Sequence, residues 1–123
     1  MRMLLLNVEQ RTIKFVYTES LDDWYDYLNC RTIDIVRRKI VGKYFNIICD
    51  DEALLKDKPQ PSGIDVTGFP MLYGNLLVAG VEVVEGELTS LTDDDIDHLL
   101  SYMTEITTSV YKKPYPAFVE MDF

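Results

Sequence analysis

A chain of 123 residues with 47% hydrophobic and 27% charged side chains carries enough apolar material for one core, and a mean hydropathy of -0.05 fits neither a disordered nor a membrane-spanning chain. Twelve Lys and Arg stand against 21 Asp and Glu, for a net charge of -9. This balance argues against a surface built to neutralise nucleic-acid phosphates or to lie on an anionic membrane, so a cytoplasmic protein with no direct nucleic-acid or membrane partner is expected.

Met3 to Val8 and Thr12 to Tyr17 are β-prone runs separated by Glu9, Gln10 and Arg11, and the second alternates Ile13, Phe15 and Tyr17 with Thr12, Lys14 and Val16. This predicts a hairpin. Ser20 followed by Asp23 reads as a capping box opening a short helix over residues 21–29, with Leu21, Trp24, Tyr25 and Leu28 at helical spacing. Trp24, Tyr25 and Tyr27 are read as core packing rather than a stacking platform, because Asp22, Asp23 and Asp26 would repel phosphates. Thr32 to Val36 and Lys43 to Cys49 predict a second hairpin, with Arg37, Arg38 and Lys39 in the connection and Gly42 as its turn glycine.

Residues 50–70 are punctuated by Pro59, Pro61, Gly63, Gly68 and Pro70. They predict a long loop, with one helical turn at Ala53 to Lys56, that is a candidate binding element. Asn75 to Val84 is apolar nearly throughout, the pattern of a central strand covered on both faces, and Glu85-Gly86-Glu87 turns the chain. Thr92 caps a closing helix whose first turn is Asp93, Asp94 and Asp95. Ile96, Leu99, Leu100, Met103, Ile106 and Val110 form its apolar stripe, with Asp94, Asp97, His98, Ser101 and Glu105 opposite. The fold class is therefore α+β: a small mixed or antiparallel sheet with two main helices, in the order ββαβββα. Two helices are too few to cover both faces of such a sheet, so a homodimer contact or the long loop is expected to complete it.

Residues 1–110 are read as a single domain and residues 111–123 as a tail. Pro114 and Pro116 bar helix and interior strand there, while Phe118, Val119, Met121 and Phe123 are too apolar to remain in solvent. Docking of the tail along a sheet edge of its own chain or onto a partner is expected.

The charge is uneven. Residues 1–58 hold ten basic and ten acidic side chains and residues 112–123 two of each, whereas residues 59–111 hold nine acids and no Lys or Arg. Glu85, Glu87, Asp93, Asp94, Asp97 and Glu105 are thus the candidate protein-binding residues, able to steer a basic partner.

No catalytic, cofactor-binding or metal-ligating residue is expected. His98 is the one histidine; Asp94 and His98 have the i, i+4 spacing of a metal pair, but no further ligand follows from a motif. Asp50, Asp51 and Glu52 are adjacent on an extended chain and lack the alternating ligands of a calcium loop. Gly74 and Gly80 belong to no phosphate-binding loop. Cys30 and Cys49 have no CxxC partner and read as reduced thiols.

The stretches Asn46 to Pro61, Tyr73 to Gly80 and Gly86 to Leu100, with the strand ending in Cys49-Asp50-Asp51-Glu52 and the helix start Ser90-Leu91-Thr92-Asp93-Asp94-Asp95-Ile96, resemble the bacterial and phage family grouped as domain of unknown function 3846. The resemblance covers roughly residues 32–105 and implies a small α+β protein of bacteria, their phages or mobile elements, with no catalytic residues to carry over. The leading expectation is a non-enzymatic protein-binding accessory factor of a phage or mobile element. One alternative is an acidic DNA mimic that inhibits a restriction or CRISPR nuclease. Another is a metal-dependent hydrolase or nuclease, for which Asp50, Asp51 and Glu52 are the candidates.

Overall fold

The computed structural model describes residues 1–81 and 88–123. Strands β1 (Arg2–Asn7) and β2 (Thr12–Tyr17) pair antiparallel from Arg2 opposite Tyr17 to Asn7 opposite Thr12, so the alternating run forms the predicted hairpin. Helix α1 (Leu21–Leu28) closes the predicted capping box: the Ser20 hydroxyl accepts from the Asp23 amide, and the Asp23 carboxylate accepts from the Ser20 amide at 3.2 Å. The helix stops at Asn29, which adopts φ 51. Its buried side differs from the expected one: Trp24, Tyr27 and Leu28 pack inward, Tyr25 does not join them, and Leu21 is exposed. The Trp24 indole sets this rotation by donating to the Thr18 hydroxyl at 3.1 Å.

Strands β3 (Ile33–Ile40) and β4 (Lys43–Asp50) form the second hairpin, and here Arg37, Arg38 and Lys39 lie within β3 rather than in a connection. Ile40 pairs with Lys43, which leaves only Val41 and Gly42 for the turn, at φ 45 and φ 80. Two consecutive positive φ values are the signature of a type I′ hairpin, whose twist matches that of its strands. The cations fit inside a strand because Arg37 and Lys39 lie over the Tyr44 ring on the neighbouring strand.

The stretch 50–70 is not one loop. After a 3₁₀ turn at Ala53–Leu55, β5 (Pro61–Ile64) and β6 (Pro70–Tyr73) pair antiparallel with two irregularities of register. The prolines stand at the first position of each strand, where a missing amide does least harm. β7 (Leu76–Ala79) is buried throughout and central as predicted, while the expected continuation to Val84 and the Glu85-Gly86-Glu87 turn fall mostly outside the described residues.

Helix α2 (Asp93–Tyr102) begins at Thr92 as predicted but ends eight residues before Val110; strand β8 (Met103–Ile106) follows it directly. The β-branched run Thr104, Ile106, Thr107, Thr108 disfavours helix and suits a strand. The helix is also rotated from the expected stripe. Ile96 and Leu99 are buried, but Leu100 is 42% exposed, while Asp95 is buried and His98 half-buried. Two polar contacts hold that rotation: Lys43 Nζ lies 2.6 Å from the Asp95 carboxylate, and His98 Nε2 donates to the Ile40 carbonyl at 2.6 Å. The His98 ring sits between Phe45 and Tyr102, not on a solvated face.

The strands form two sheets. The first, antiparallel, has the order β10-β3-β4-β7-β1-β2; the second, mixed, has the order β6-β5-β9-β8, where β9 is Tyr115–Phe118 and β10 is Met121–Asp122. This is an α+β fold, but its element order is longer than ββαβββα because the loop and the tail contribute strands. Pro116 lies in an interior strand, contrary to expectation. β9 meets β5 only at Phe118, beyond the proline, so the missing amide does not interrupt that ladder.

These additions cover the sheet. One face of the first sheet, with Leu4, Leu6, Phe45, Ile47, Leu76 and Val78, packs on Leu72, Tyr115, Ala117 and Phe118 of the second sheet and on Ile96 and Leu99. The other face, with Met3, Leu5, Ile48, Leu77 and Ala79, is covered by α1. The central strand therefore finds its cover within its own chain.

Candidate functional site

The predicted acidic residues are not one cluster. Asp93, Asp94 and Asp97 lie exposed on the outer side of α2, Glu105 lies on the edge strand β8 beyond the helix, and Glu85 and Glu87 lie outside the described residues. Asp93 is held by Arg2, whose guanidinium reaches its carboxylate at 3.0 Å while donating to the Leu91 carbonyl at 2.7 Å. Asp95, buried below, serves the capping box and Lys43. Burial works to raise its carboxyl, but the Lys43 ammonium and the Thr92 amide and hydroxyl outweigh it and hold the group below its ordinary value. Asp94 and Asp97 make no ion pair among the described residues. Leu100, one turn on from Asp97, is exposed beside them.

Asp50 and Glu52 are engaged structurally. Asp50 accepts from the Glu52 amide at 2.9 Å and faces Lys56 at 3.4 Å, while Glu52 meets Arg31 and Thr32, each at 3.4 Å. Among the described residues no three His, Cys, Asp or Glu stand close enough to hold a metal ion. Cys30 opens on a neighbouring cleft, but burial and the Asp50 charge raise its thiol, and burial pushes Cys49 up to about 12. Neither is an activated nucleophile.

A different site forms at the far end of β1. Val8 directs its amide to the Asn75 side chain at 2.9 Å and its carbonyl to the Gln60 side chain at 3.1 Å. These two buried amides fix the β1–β2 turn, in which Arg11 adopts φ 57. From the other side the chain after β8 makes a turn: the Thr108 hydroxyl accepts from the Tyr111 amide at 2.9 Å, and the Thr108 amide donates to the Tyr111 carbonyl at 2.8 Å. The Tyr111 hydroxyl donates to the Lys58 carbonyl. The three segments enclose a cavity of about 380 Å³ lined by Val8, Glu9, Arg11, Gln60, Val110, Tyr111, Lys112 and Lys113. A smaller cavity of about 160 Å³ shares Val8, Glu9, Gln60 and Tyr111 with it and adds Lys56 and Lys58.

Arg11, Lys58, Lys112 and Lys113 make no ion pair among the described residues, although the chain carries an excess of acids. Sequence reading missed this groove because it counted charge by segment. Residues 1–58 and 112–123 each sum to zero, but not every base among them meets an acid in space: Arg11, Lys58, Lys112 and Lys113 stay apart from the pairs Arg31–Glu52 and Lys56–Asp50. The one visible sign was the Lys112-Lys113 pair flanked by Tyr111.

The protein is thus a two-sheet α+β chain with an acidic helix face at one end and a basic groove at the other. It belongs to the family described as domain of unknown function (DUF3846), whose model matches residues 1–106, a match that takes in β1, β2 and α1 as well as the stretches that carry the resemblance. No curated protein and no solved structure matches the chain. Among the described residues, no helix is long and apolar enough to cross a membrane.

Proposed function

We propose that this chain is a non-enzymatic accessory factor that docks a basic protein partner on the outer face of α2. The observation that carries the reading is Leu100. A core position by sequence pattern, it stands 42% exposed next to Asp97, with Asp93 and Asp94 on the same side of the helix. An apolar anchor within a charged rim is the anatomy of a protein interface. Unpaired carboxylates add steering toward a basic surface. A phage or mobile-element setting belongs to the same proposal and rests on the family resemblance.

Mimicry of DNA draws less support. It calls for a continuous row of free carboxylates, whereas Asp93 and Asp95 are committed to Arg2 and Lys43. A metal-dependent hydrolase draws least, since Asp50 and Glu52 face Lys56 and Arg31.

The test is affinity capture from a bacterial host lysate with the wild-type chain and with the Asp94→Lys, Asp97→Lys, Leu100→Ser variant. The expected result is a basic protein that the wild type retains, that salt releases, and that the variant fails to hold. An identical retained set for both chains would overturn the reading.

A further inference from the structure

Beyond the docking face, we propose that the groove between the β1–β2 turn, the segment before β5 and the turn after β8 is a binding site for a mononucleotide-sized organic phosphate. Three observations point there together. Arg11, Lys112 and Lys113 line one cavity and Lys58 its neighbour, and none of the four has an ion-pair partner among the described residues. In a chain of net charge -9, cations left unpaired around a concavity mark a place where an anion is bound rather than repelled.

The second observation is Gln60, which is 9% exposed and lines both cavities. Its side-chain nitrogen is committed to the Val8 carbonyl at 3.1 Å, which leaves its side-chain oxygen with no partner among the described residues. A free amide oxygen on a residue of the cavity wall can accept from an N–H or O–H donor on a ligand. The third is size and surface. About 380 Å³ holds a small molecule rather than a folded partner, and Val8, Val110 and Tyr111 supply apolar walls.

A phosphate group suits the cationic mouth, where Arg11 can bind two oxygens and the lysines act as point charges. A flat heterocycle with ring or exocyclic N–H groups suits the apolar walls and Gln60. The Glu9 carboxylate is placed to accept from sugar hydroxyls, and it would repel a second anion beside the first. This combination favours a nucleoside monophosphate over inorganic phosphate and over a polyanion.

Isothermal titration of the full chain with AMP, GMP, CMP and UMP tests the proposal, with ribose 5-phosphate, inorganic phosphate and a single-stranded oligonucleotide as competing probes. The expected result is one saturable site for at least one mononucleotide, at least tenfold tighter than for ribose 5-phosphate or inorganic phosphate, weakening as salt rises. The Lys112→Ala, Lys113→Ala double variant should lose at least tenfold in affinity with an unchanged far-ultraviolet spectrum. Both side chains are exposed and make no hydrogen bond, and the two single variants serve if the double variant misfolds.

No mononucleotide binding at millimolar concentration, affinity unchanged in the lysine variants, or equal affinity for inorganic phosphate would overturn the proposal. So would an oligonucleotide that binds more tightly than its mononucleotide. None of these outcomes bears on the α2 face, whose variants leave the groove intact.

Discussion

The acidic helix face and the basic groove lie at opposite ends of β1, roughly 20 Å apart for a six-residue strand, and their charges come from the sequence in different ways. On α2 the acids Asp93, Asp94, Asp95 and Asp97 fall within five residues of one helix, and two of the four are already matched by Arg2 and Lys43. In the groove Arg11, Lys58 and the Lys112-Lys113 pair arrive from three separate segments, and none of these four cations is matched among the described residues. Half of the charge that is local in sequence has been absorbed into capping and ion pairs, whereas the four cations gathered by folding are all left unpaired among the described residues. A net charge of -9 argues against a surface that tracks a nucleic-acid backbone but not against a small basic groove, because screening confines each effect to roughly 10 Å or less.

The largest expected effect tests the rotation of α2 on which the acidic face depends. Leu99→Ala, at a fully buried position, should lower the unfolding free energy by about 2 to 5 kcal/mol, while Leu100→Ala should stay within about 0.5 kcal/mol. Urea denaturation of the two variants measures both. Equal losses would place Leu100 in the core and dissolve the outer face.

At the other end, Gln60→Ala strips the Val8 carbonyl of its buried donor. The expected cost is about 1 to 3 kcal/mol, read from the same denaturation, with Lys112→Ala close to neutral. A neutral Gln60→Ala would mean that the β1–β2 turn, and with it the position of Arg11, is held by something other than this amide.

Thr92→Ala removes the hydroxyl that accepts from the Asp95 amide at 3.1 Å. About 1 kcal/mol should be lost, the usual worth of such a cap, with thermal unfolding as the readout. A much larger loss would show that the cap also sustains the Lys43 contact.

These positions also show which parts of the molecule could be read in advance. The first hairpin, the capping box of α1, the Thr92 cap of α2 and the buried β7 were legible because each is specified by residues within a few positions of one another. Three features were not. Arg37 to Lys39 were assigned to a connection because three successive cations resemble a turn, but the Tyr44 ring that receives Arg37 and Lys39 becomes visible only once β3 and β4 are paired. Pro61 and Pro70 suggested a loop and Pro116 argued against an interior strand, yet each is tolerated at a strand start or where the neighbouring ladder has not begun. Leu100 fitted an apolar stripe, and only the pull of Lys43 on Asp95 and of the Ile40 carbonyl on His98 turns it outward. The groove was hidden for the same reason: residues 8–11, 56–60 and 110–113 are far apart in the chain.

The smallest expected effect concerns the pH dependence that separates the two ends. Asp95 is the carboxyl at the acidic end held below its ordinary value by its partners, chiefly Lys43 and Thr92 working against burial. An unfolded Asp titrates near 3.9, so between that value and the lower folded one the unfolded chain binds more protons than the folded chain. Stability therefore rises with pH through this window. The Asp95 contribution is fully present above about pH 4 and is lost as the pH falls through the folded value. The Lys43 end of the pair is partly exposed, so salt should shrink the effect. Melting temperatures of the wild type and Asp95→Asn from pH 6 to pH 2.5 provide the measurement. The variant should start lower at pH 6 and fall less steeply below pH 4, so that the two curves converge in acid. Parallel curves would mean that the folded chain does not hold the Asp95 carboxyl below its ordinary value, and that neither Lys43 nor the Thr92 bonds favour its charged form enough to fix which residues of α2 face outward.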